Sequence, residues 1–225
     1  MISRLHRAPV ANQDRVLLVM LPGIGINAAD FTKRGFVAAV HERGIPVDVI
    51  TACPELDLYF AGTVGTAIHR EIIEPTHRAG YSRIWFLAIS LGGMGALLYA
   101  SAHANNIEGL ILLAPFLATQ GTIKEIAETG GLAYWSPDGS AATPAERRLL
   151  AWLKDYFARQ RERPALYLGY GLADRFGSGH MMLSSRLPAE RVVAVDGGHD
   201  WETWAELWRR LLDAQPFSQS EAGKS

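Results

Sequence analysis

Apolar runs of β-strand length recur along this chain and alternate with segments of helical periodicity. The six runs are Arg15–Leu21, Pro46–Ile50, Arg83–Ala88, Ile107–Leu113, Ala165–Tyr170 and Arg191–Val195. Their apolar residues are continuous and do not alternate with polar ones, which is typical of strands buried on both faces. Because helices must then cover both faces of a parallel sheet, the pattern predicts a three-layer α/β fold with a mostly parallel sheet of about six strands.

The segments between these runs carry apolar residues at helical spacing. Helices are predicted over Phe31–Arg43, Thr63–Ala79 and Glu202–Ala214, the first of them ending at Gly44. Trp204 and Trp208 lie on one face of the last helix, so we interpret them as core residues.

The length and composition fit one domain. A chain of 225 residues that is 48% hydrophobic can bury a substantial core, and we assign residues 1–214 to a single domain. A long connection, residues 115–164, interrupts the alternation of strands and helices, and connections of this length are commonly functional. We expect it to form a short lid followed by a helix over Pro144–Arg161. The polar residues 215–225 are predicted to be a disordered tail.

The charge pattern excludes several classes of partner. Lys and Arg total 22 against 23 Asp and Glu, and no run of like charges suggests binding to nucleic acid or to an anionic membrane. No apolar run approaches membrane-spanning length, and residues 1–15 lack the apolar stretch of a signal peptide. With Cys53 as its single cysteine, the chain is expected to be cytoplasmic. The sequence leaves open whether it forms a homo-oligomer.

A serine lies where the third apolar run meets a glycine-rich helix start. Ser90 follows the predicted strand, and good helix formers occupy Met94–Ala100. A serine at such a junction is presented on a tight turn with its hydroxyl above the sheet edge, and small residues two positions away on each side relieve the crowding. Ala88 and Gly92 fill those positions. Ser90 is therefore the candidate nucleophile.

A serine hydroxyl needs a base, a group that orients the base, and donors for the developing oxyanion. His199 follows the last predicted strand and is the candidate base, with His180 as its competitor. Asp174, in the turn after the preceding strand, is the candidate acid, whereas Asp200 is interpreted as a helix N-cap.

The loop after the first apolar run is the candidate source of an oxyanion donor. We expect the backbone N–H groups of Ile24 and Leu91 to form the oxyanion hole, with Gly23 and Gly25 allowing close approach to the substrate. The glycine pair lacks the third glycine of a dinucleotide site and the lysine of a phosphate loop. No cofactor is therefore predicted.

These motifs, in this order, resemble those of α/β-hydrolase fold serine hydrolases, in particular small esterases, from about Arg15 to Leu212. The matching segments are Pro22–Gly25, Ala88–Gly92, Gly171–Phe176 and Gly197–Asp200. The chain departs from the usual pattern at Pro22 and Ala88. The resemblance implies a Ser90, His199 and Asp174 triad acting through an acyl-enzyme.

The expected substrate is a small acyl ester or thioester with a partly apolar group. The residues expected to contact it or to form its pocket and lid are Tyr59, Phe116, Trp135 and Met181, with Leu58, Phe60, Leu117, Ile126 and Leu132 beside them. Carboxylesterase activity is the first expectation. A thioesterase or acyltransferase is the alternative, and a binding protein with an idle triad is the second one.

Overall fold

The computed structural model describes residues 1–159 and 164–217, and its centre is a seven-stranded sheet in the order β1-β3-β2-β4-β5-β6-β7. The strands are β1 Ile2–His6, β2 Val16–Leu21, β3 Val47–Cys53, β4 Arg83–Ile89, β5 Gly109–Leu113, β6 Ala165–Gly171 and β7 Val192–Val195. Strand β1 pairs antiparallel with β3, and every other pairing is parallel.

Ten α-helices connect and cover these strands in the described residues. They are α1 Ala28–Lys33, α2 Phe36–His41, α3 Leu56–Phe60, α4 Val64–Ile68, α5 Glu74–Arg78, α6 Leu91–His103, α7 Gln120–Glu128, α8 Pro144–Ala158, α9 Gly177–Ser184 and α10 Trp201–Asp213. A π-helical turn, His69–Ile73, joins α4 to α5, and short 3₁₀ turns lie at Ala104–Asn106 and Ala189–Arg191. None of these helices has the length and apolar character that crossing a membrane requires.

The sheet separates two apolar clusters, one on each face. Helices α4, α6 and α8 contribute to the first cluster, and α1, α2 and α10 to the second. Strand residues alternate between them: Leu17 and Val19 point into the first cluster, whereas Leu18 and Met20 point into the second. The three-layer α/β architecture predicted from the continuous apolar runs is thereby confirmed.

The structure differs from the sequence expectation in three elements. Strand β1 was not predicted and makes the sheet one strand larger than the expected six. The segment predicted as one helix over Phe31–Arg43 is two helices, because Gly35 between them has a φ of 78°. The segment Thr63–Ala79 is helical as predicted but changes to π-helical winding in its centre.

The long connection 115–164 consists of α7, an irregular segment and α8. Glu146 is almost fully buried in it, and its carboxylate accepts hydrogen bonds from the backbone N–H groups of Thr119 at 2.6 Å and Thr143 at 2.7 Å. The acid thus ties the starts of α7 and α8 together. The predicted end of α8 at residues 160 and 161 lies outside the described residues.

The chain end was predicted to be disordered from residue 215. Within its described part, Phe217 is buried and packs edge-on against Trp85 at 5.4 Å between ring centres. The guanidinium of Arg83 also donates to the Phe217 carbonyl at 3.2 Å. Residues 218–225 lie outside the described part of the chain.

Candidate active site

Ser90 connects β4 to α6 in a strained backbone conformation. Its φ of 52° and ψ of −117° lie in a region that non-glycine residues adopt only at an energetic cost. Its N–H donates to the Leu113 carbonyl at 3.0 Å, and its carbonyl accepts from the N–H groups of Gly93 and Phe116, both at 2.9 Å. These bonds to β5 and to the segment after it hold the serine on the turn.

Small residues make this turn possible. A Cβ atom at Gly92 would lie 2.4 Å from the Leu21 carbonyl oxygen, so a larger residue there would push α6 away from β2. Ala88 is fully buried in β4 between Leu21 and Leu112 on the neighbouring strands. Of the two small residues that the sequence singled out, Ala88 therefore lies within the sheet and Gly92 lies directly against it.

The imidazole of His199 bridges Ser90 and Asp174. Its Nε2 lies 2.8 Å from the Ser90 Oγ, and its Nδ1 lies 2.8 Å from the Asp174 Oδ2. An ionised carboxylate only accepts hydrogen bonds, so Nδ1 carries the proton and Nε2 is left to accept from the serine hydroxyl. The Asp174 side chain is 0% exposed and that of His199 is 8% exposed, which shields both hydrogen bonds from water.

The loop that carries His199 is held by aromatic rings and by the start of α10. Phe176 and Trp204 each pack edge-on against the imidazole, with ring centres 5.0 Å away. Asp200 caps α10 as predicted, because its Oδ1 accepts from the Thr203 N–H at 2.9 Å. The ring orientation is thus fixed from both sides.

Hydrogen bonds in the turn after β6 keep the Asp174 carboxylate charged. Burial raises the pKa of this carboxyl, but hydrogen bonds from His199 and from the Phe176 N–H, at 2.8 Å, outweigh it and leave the pKa below its usual value. Asp174 is therefore ionised at neutral pH, as an acceptor for the imidazole N–H must be.

His180, the competitor for the role of base, hydrogen-bonds to a backbone carbonyl and not to Ser90. Its side chain is fully buried, and its Nε2 donates to the Pro115 carbonyl at 3.1 Å. Burial lowers its pKa, against opposing effects of Asp174 and the Pro115 carbonyl. Because that bond directs Nε2 to a backbone oxygen, His180 acts in packing and not on Ser90.

Of the two expected oxyanion donors, Leu91 follows Ser90 in the chain and Ile24 lies in a loop that approaches it. Leu91 is the first residue of α6, where a backbone N–H has no acceptor within the helix. Ile24 belongs to the loop after β2, and this loop approaches the serine closely, since a Cβ at Gly23 would lie 3.1 Å from the Ser90 Cβ. Gly25 has a φ of 73°, which favours glycine.

A cavity of about 1110 Å³ lies beside these residues, between α7, the segment after it and α9. Its apolar lining includes Leu117, Ile126, Leu132 and Met181, all of which the sequence placed in the pocket or lid. Phe176, which contacts the His199 ring, also lines it. The sequence interpretation missed Phe176 as a wall residue, although its position two residues after Asp174 could have indicated it.

Five expected pocket residues do not line this cavity: Phe116, Trp135, Tyr59, Leu58 and Phe60. Trp135, expected in the pocket wall, is instead fully buried in the core, and its indole N–H donates to Glu125 at 2.8 Å. Tyr59 is likewise buried, packed against Gly95 in α6. Leu58 packs on the same core cluster, and Phe60 is exposed.

Phe116 lies between the cavity and the serine. Its ring packs edge-on against Phe176 at 5.4 Å, while its N–H donates to the Ser90 carbonyl. Among residues 1–159 and 164–217, no cluster of three His, Cys, Asp or Glu side chains could hold a metal ion.

Comparison with known proteins identifies the fold. Neither the protein-family models nor the curated proteins contain a match to this chain. Among solved structures, the fluorophosphonate-binding serine hydrolase F of Staphylococcus aureus aligns over 96% of this chain and 98% of its own, with a TM-score of 0.64 and 14% identity. An S-formylglutathione hydrolase of Agrobacterium tumefaciens aligns over 96% and 90%, with a TM-score of 0.60 and 16% identity.

A monoacylglycerol lipase of Paleococcus ferrophilus gives a TM-score of 0.57 at 16% identity, over 96% of this chain and 97% of its own. Identities this low relate the chains by architecture and not by activity. The chain thus has the α/β-hydrolase fold.

Proposed function

We propose that this protein is a serine hydrolase that cleaves an ester-type acyl bond of a small molecule, with Ser90 as nucleophile, His199 as base and Asp174 as orienting acid. The observation that carries the proposal is the imidazole of His199, which lies 2.8 Å from both the serine hydroxyl and the carboxylate. A buried histidine between these two groups is what nucleophilic catalysis by serine requires.

In the first half of the reaction, His199 Nε2 takes the Ser90 proton while Oγ forms a bond to the substrate carbonyl carbon. The N–H groups of Leu91 and Ile24 donate to the resulting oxyanion, and the N-terminus of α6 favours its negative charge. His199 then gives the proton to the leaving oxygen, which departs and leaves an ester on Ser90.

In the second half, His199 removes a proton from water, whose oxygen attacks the acyl carbon. Collapse of this intermediate releases the acid and returns the proton to Ser90. Asp174 keeps its charge throughout and stabilises the imidazolium that forms in each half. The three structures compared above are two hydrolases and a lipase by name, which supports this assignment by analogy of fold.

The direct test is hydrolysis of p-nitrophenyl butyrate by the Ser90→Ala variant. Loss of the nucleophile is expected to lower kcat by about a millionfold. Ser101→Ala is the matched control, because Ser101 also lies on α6 but donates to the Leu98 carbonyl in the helix. Retention of full activity by Ser90→Ala would overturn the proposal.

A fluorophosphonate probe separates an enzyme from a binding protein. Attack by an activated Ser90 would form a bond from Oγ to phosphorus and expel fluoride, so wild-type protein is expected to be labelled and Ser90→Ala is not. Folded wild-type protein that resists labelling would instead favour the binding role. Comparing an oxygen ester, a thioester and an amide with one acyl group, with and without an alcohol acceptor, then distinguishes esterase, thioesterase and acyltransferase activity.

A further inference from the structure

The cavity beside the triad has charged side chains of only one sign. Its lining contains the cations Lys124, Arg175 and Arg186 and no Asp or Glu. The whole chain carries 22 basic and 23 acidic residues, so an average surface of this size would present both signs. The remaining lining is largely apolar, with Leu117, Ile123, Ile126, Leu132, Tyr134, Phe176, Met181 and Met182.

Two of these cations lack an acidic partner. Over residues 1–159 and 164–217, no carboxylate lies within ion-pair distance of Arg175 or Arg186. Each guanidinium instead lies over an aromatic ring, Arg175 over Phe176 at 5.0 Å and Arg186 over Phe157 at 5.8 Å. Lys124 has only a distant contact, 3.7 Å, with Glu128 on the same helix. Within the described protein, the positive charges of Arg175 and Arg186 are therefore not neutralised by a carboxylate, whereas that of Lys124 is partly offset by Glu128.

The cavity is close enough to the triad to hold part of a bound substrate. Phe176 lines it and also contacts the His199 ring. Leu117 lines it from a position next to Phe116, whose N–H donates to the Ser90 carbonyl. A volume of about 1110 Å³ is slightly above the usual range for ligand pockets and far exceeds the size of a formyl or acetyl group.

We infer that the substrate of this site is an amphiphilic ester, with an apolar chain that fills the cavity and an anionic group that binds Arg175 and Arg186. The inference rests on the proposed serine hydrolase function and specifies its substrate class. A guanidinium forms charge-assisted hydrogen bonds with a carboxylate or a phosphate, so either group fulfils the requirement.

The test compares two p-nitrophenyl esters of equal chain length. The monoester of suberic acid carries a terminal carboxylate, and the octanoate ends in a methyl group. The anionic ester is expected to have a kcat/KM about tenfold higher or more, the size typical of a hydrogen bond to a charged group. This preference is expected to shrink in high salt, which screens exposed charges.

The variants Arg175→Gln and Arg186→Gln are expected to lower the ratio of the two kcat/KM values, and together to bring it close to one. Arg209→Gln is the matched control, since Arg209 is an exposed cation on α10 away from the cavity. An effect of Arg175→Gln on the neighbouring Asp174 would change kcat/KM for both esters alike, so it cancels in the ratio. A ratio near one in the wild type, or one that both variants leave unchanged, would overturn the inference.

A binding measurement separates this inference from the proposed function. Octanoate, octyl phosphate and octanol are titrated into the wild type and into the Arg175→Gln, Arg186→Gln double variant by calorimetry. We expect at least one of the two anions to bind the wild type about tenfold more tightly than the double variant. Octanol is expected to bind both proteins alike. The anion that binds more tightly indicates whether the anionic group of the substrate is a carboxylate or a phosphate. Equal binding of all three probes to both proteins contradicts the inference, even if Ser90-dependent hydrolysis is observed. Absence of hydrolysis alone contradicts only the proposed function.

Discussion

Ser90 shows how much of the site is determined by single residues. Its positive φ is unfavourable for a serine, and the turn persists because three backbone hydrogen bonds and the absence of a side chain at Gly92 support it. The strained turn places the hydroxyl 2.8 Å from the Nε2 of His199. The position of the hydroxyl therefore depends on Ser90, on its three backbone hydrogen bonds and on the small residue at Gly92.

Asp174→Asn tests the role of the acid. An amide at this position can present its NH₂ group to Nδ1 and stabilise the wrong tautomer, so we expect kcat for p-nitrophenyl butyrate to fall by about ten-thousandfold. The thermal unfolding midpoint is measured alongside, so that loss of activity can be separated from loss of structure. Asp196→Asn, an exposed change in the histidine loop, is the control. A drop of less than tenfold for Asp174→Asn would argue against the triad.

His180 gives a prediction about stability and pH. Its pKa is lowered by burial in the native state, whereas in the unfolded chain it is about 6.5. The unfolded state therefore binds more protons below about pH 6.5, and stability is lost as the pH falls from there towards the native pKa. Glutamine can keep a donor to the Pro115 carbonyl but does not titrate.

The free energies of unfolding of wild type and His180→Gln, measured in urea between pH 7.5 and pH 5.5, are thus expected to converge or cross as the pH falls. The other histidines are present in both proteins and cancel in the difference. A constant difference over this range would show that His180 does not titrate with unfolding.

At the same scale, the sequence located the three residues that meet at the site but only part of the cavity lining. Ser90, Asp174 and His199 follow three different strands, and parallel pairing brings such strand ends to one edge. Trp135 could not be placed in this way, because it lies in the irregular segment after α7 and its indole N–H pairs with Glu125 on that helix, ten residues earlier. A contact between an irregular segment and a helix has no periodicity that would reveal it in the sequence.

At the level of elements, the end of β6 and the histidine loop are in contact so close that Gly171 has no room for a side chain. A Cβ at Gly171 would lie 2.4 Å from the Gly197 carbonyl oxygen, and the Ala173 N–H donates to the same oxygen at 2.9 Å. Any side chain at Gly171 must therefore displace the loop that carries His199.

Gly171→Ala is expected to reduce kcat/KM for p-nitrophenyl butyrate by about a hundredfold, since a shift of roughly 1 Å in a catalytic group has an effect of this size. Gly177→Ala, where an added Cβ meets no atom within 4 Å, is the control and is expected to retain activity. Equal activity of the two variants would show that the loop adapts without moving the imidazole.

The elements that sequence analysis missed are those defined by distant partners. Strand β1 contains Ser3, Arg4 and His6, and most of it is exposed, so it has no buried run. It forms because β3 offers an edge, and Asp48 in β3 accepts hydrogen bonds from Arg7 and from the Ala8 N–H just after β1. The break between α1 and α2 likewise depends on one glycine, Gly35, within a continuous apolar pattern.

On the scale of the whole molecule, the sheet joins two cores that share every central strand. Each central strand sends neighbouring residues into opposite clusters. If the helices on one face lose their packing, the apolar strand residues of that face are exposed, and the strands that also form the other cluster lose support. The continuous apolar runs predicted this arrangement, because only a sheet covered on both sides needs apolar residues at successive positions. Cooperative unfolding of both layers follows from it.

Leu149→Ala tests this cooperativity by destabilising one face and observing the other. Leu149 is fully buried in α8 on the first face, and its truncation is expected to cost about 2–5 kcal/mol. Of the 6 tryptophans, Trp135 and Trp152 lie on the first face, and the others belong to or pack against the second cluster, so most of the fluorescence reports from the second face. We expect the urea midpoints from fluorescence and from far-ultraviolet circular dichroism to fall by the same amount. A fluorescence midpoint that stays at the wild-type value while the dichroism midpoint falls would show that the two layers unfold separately.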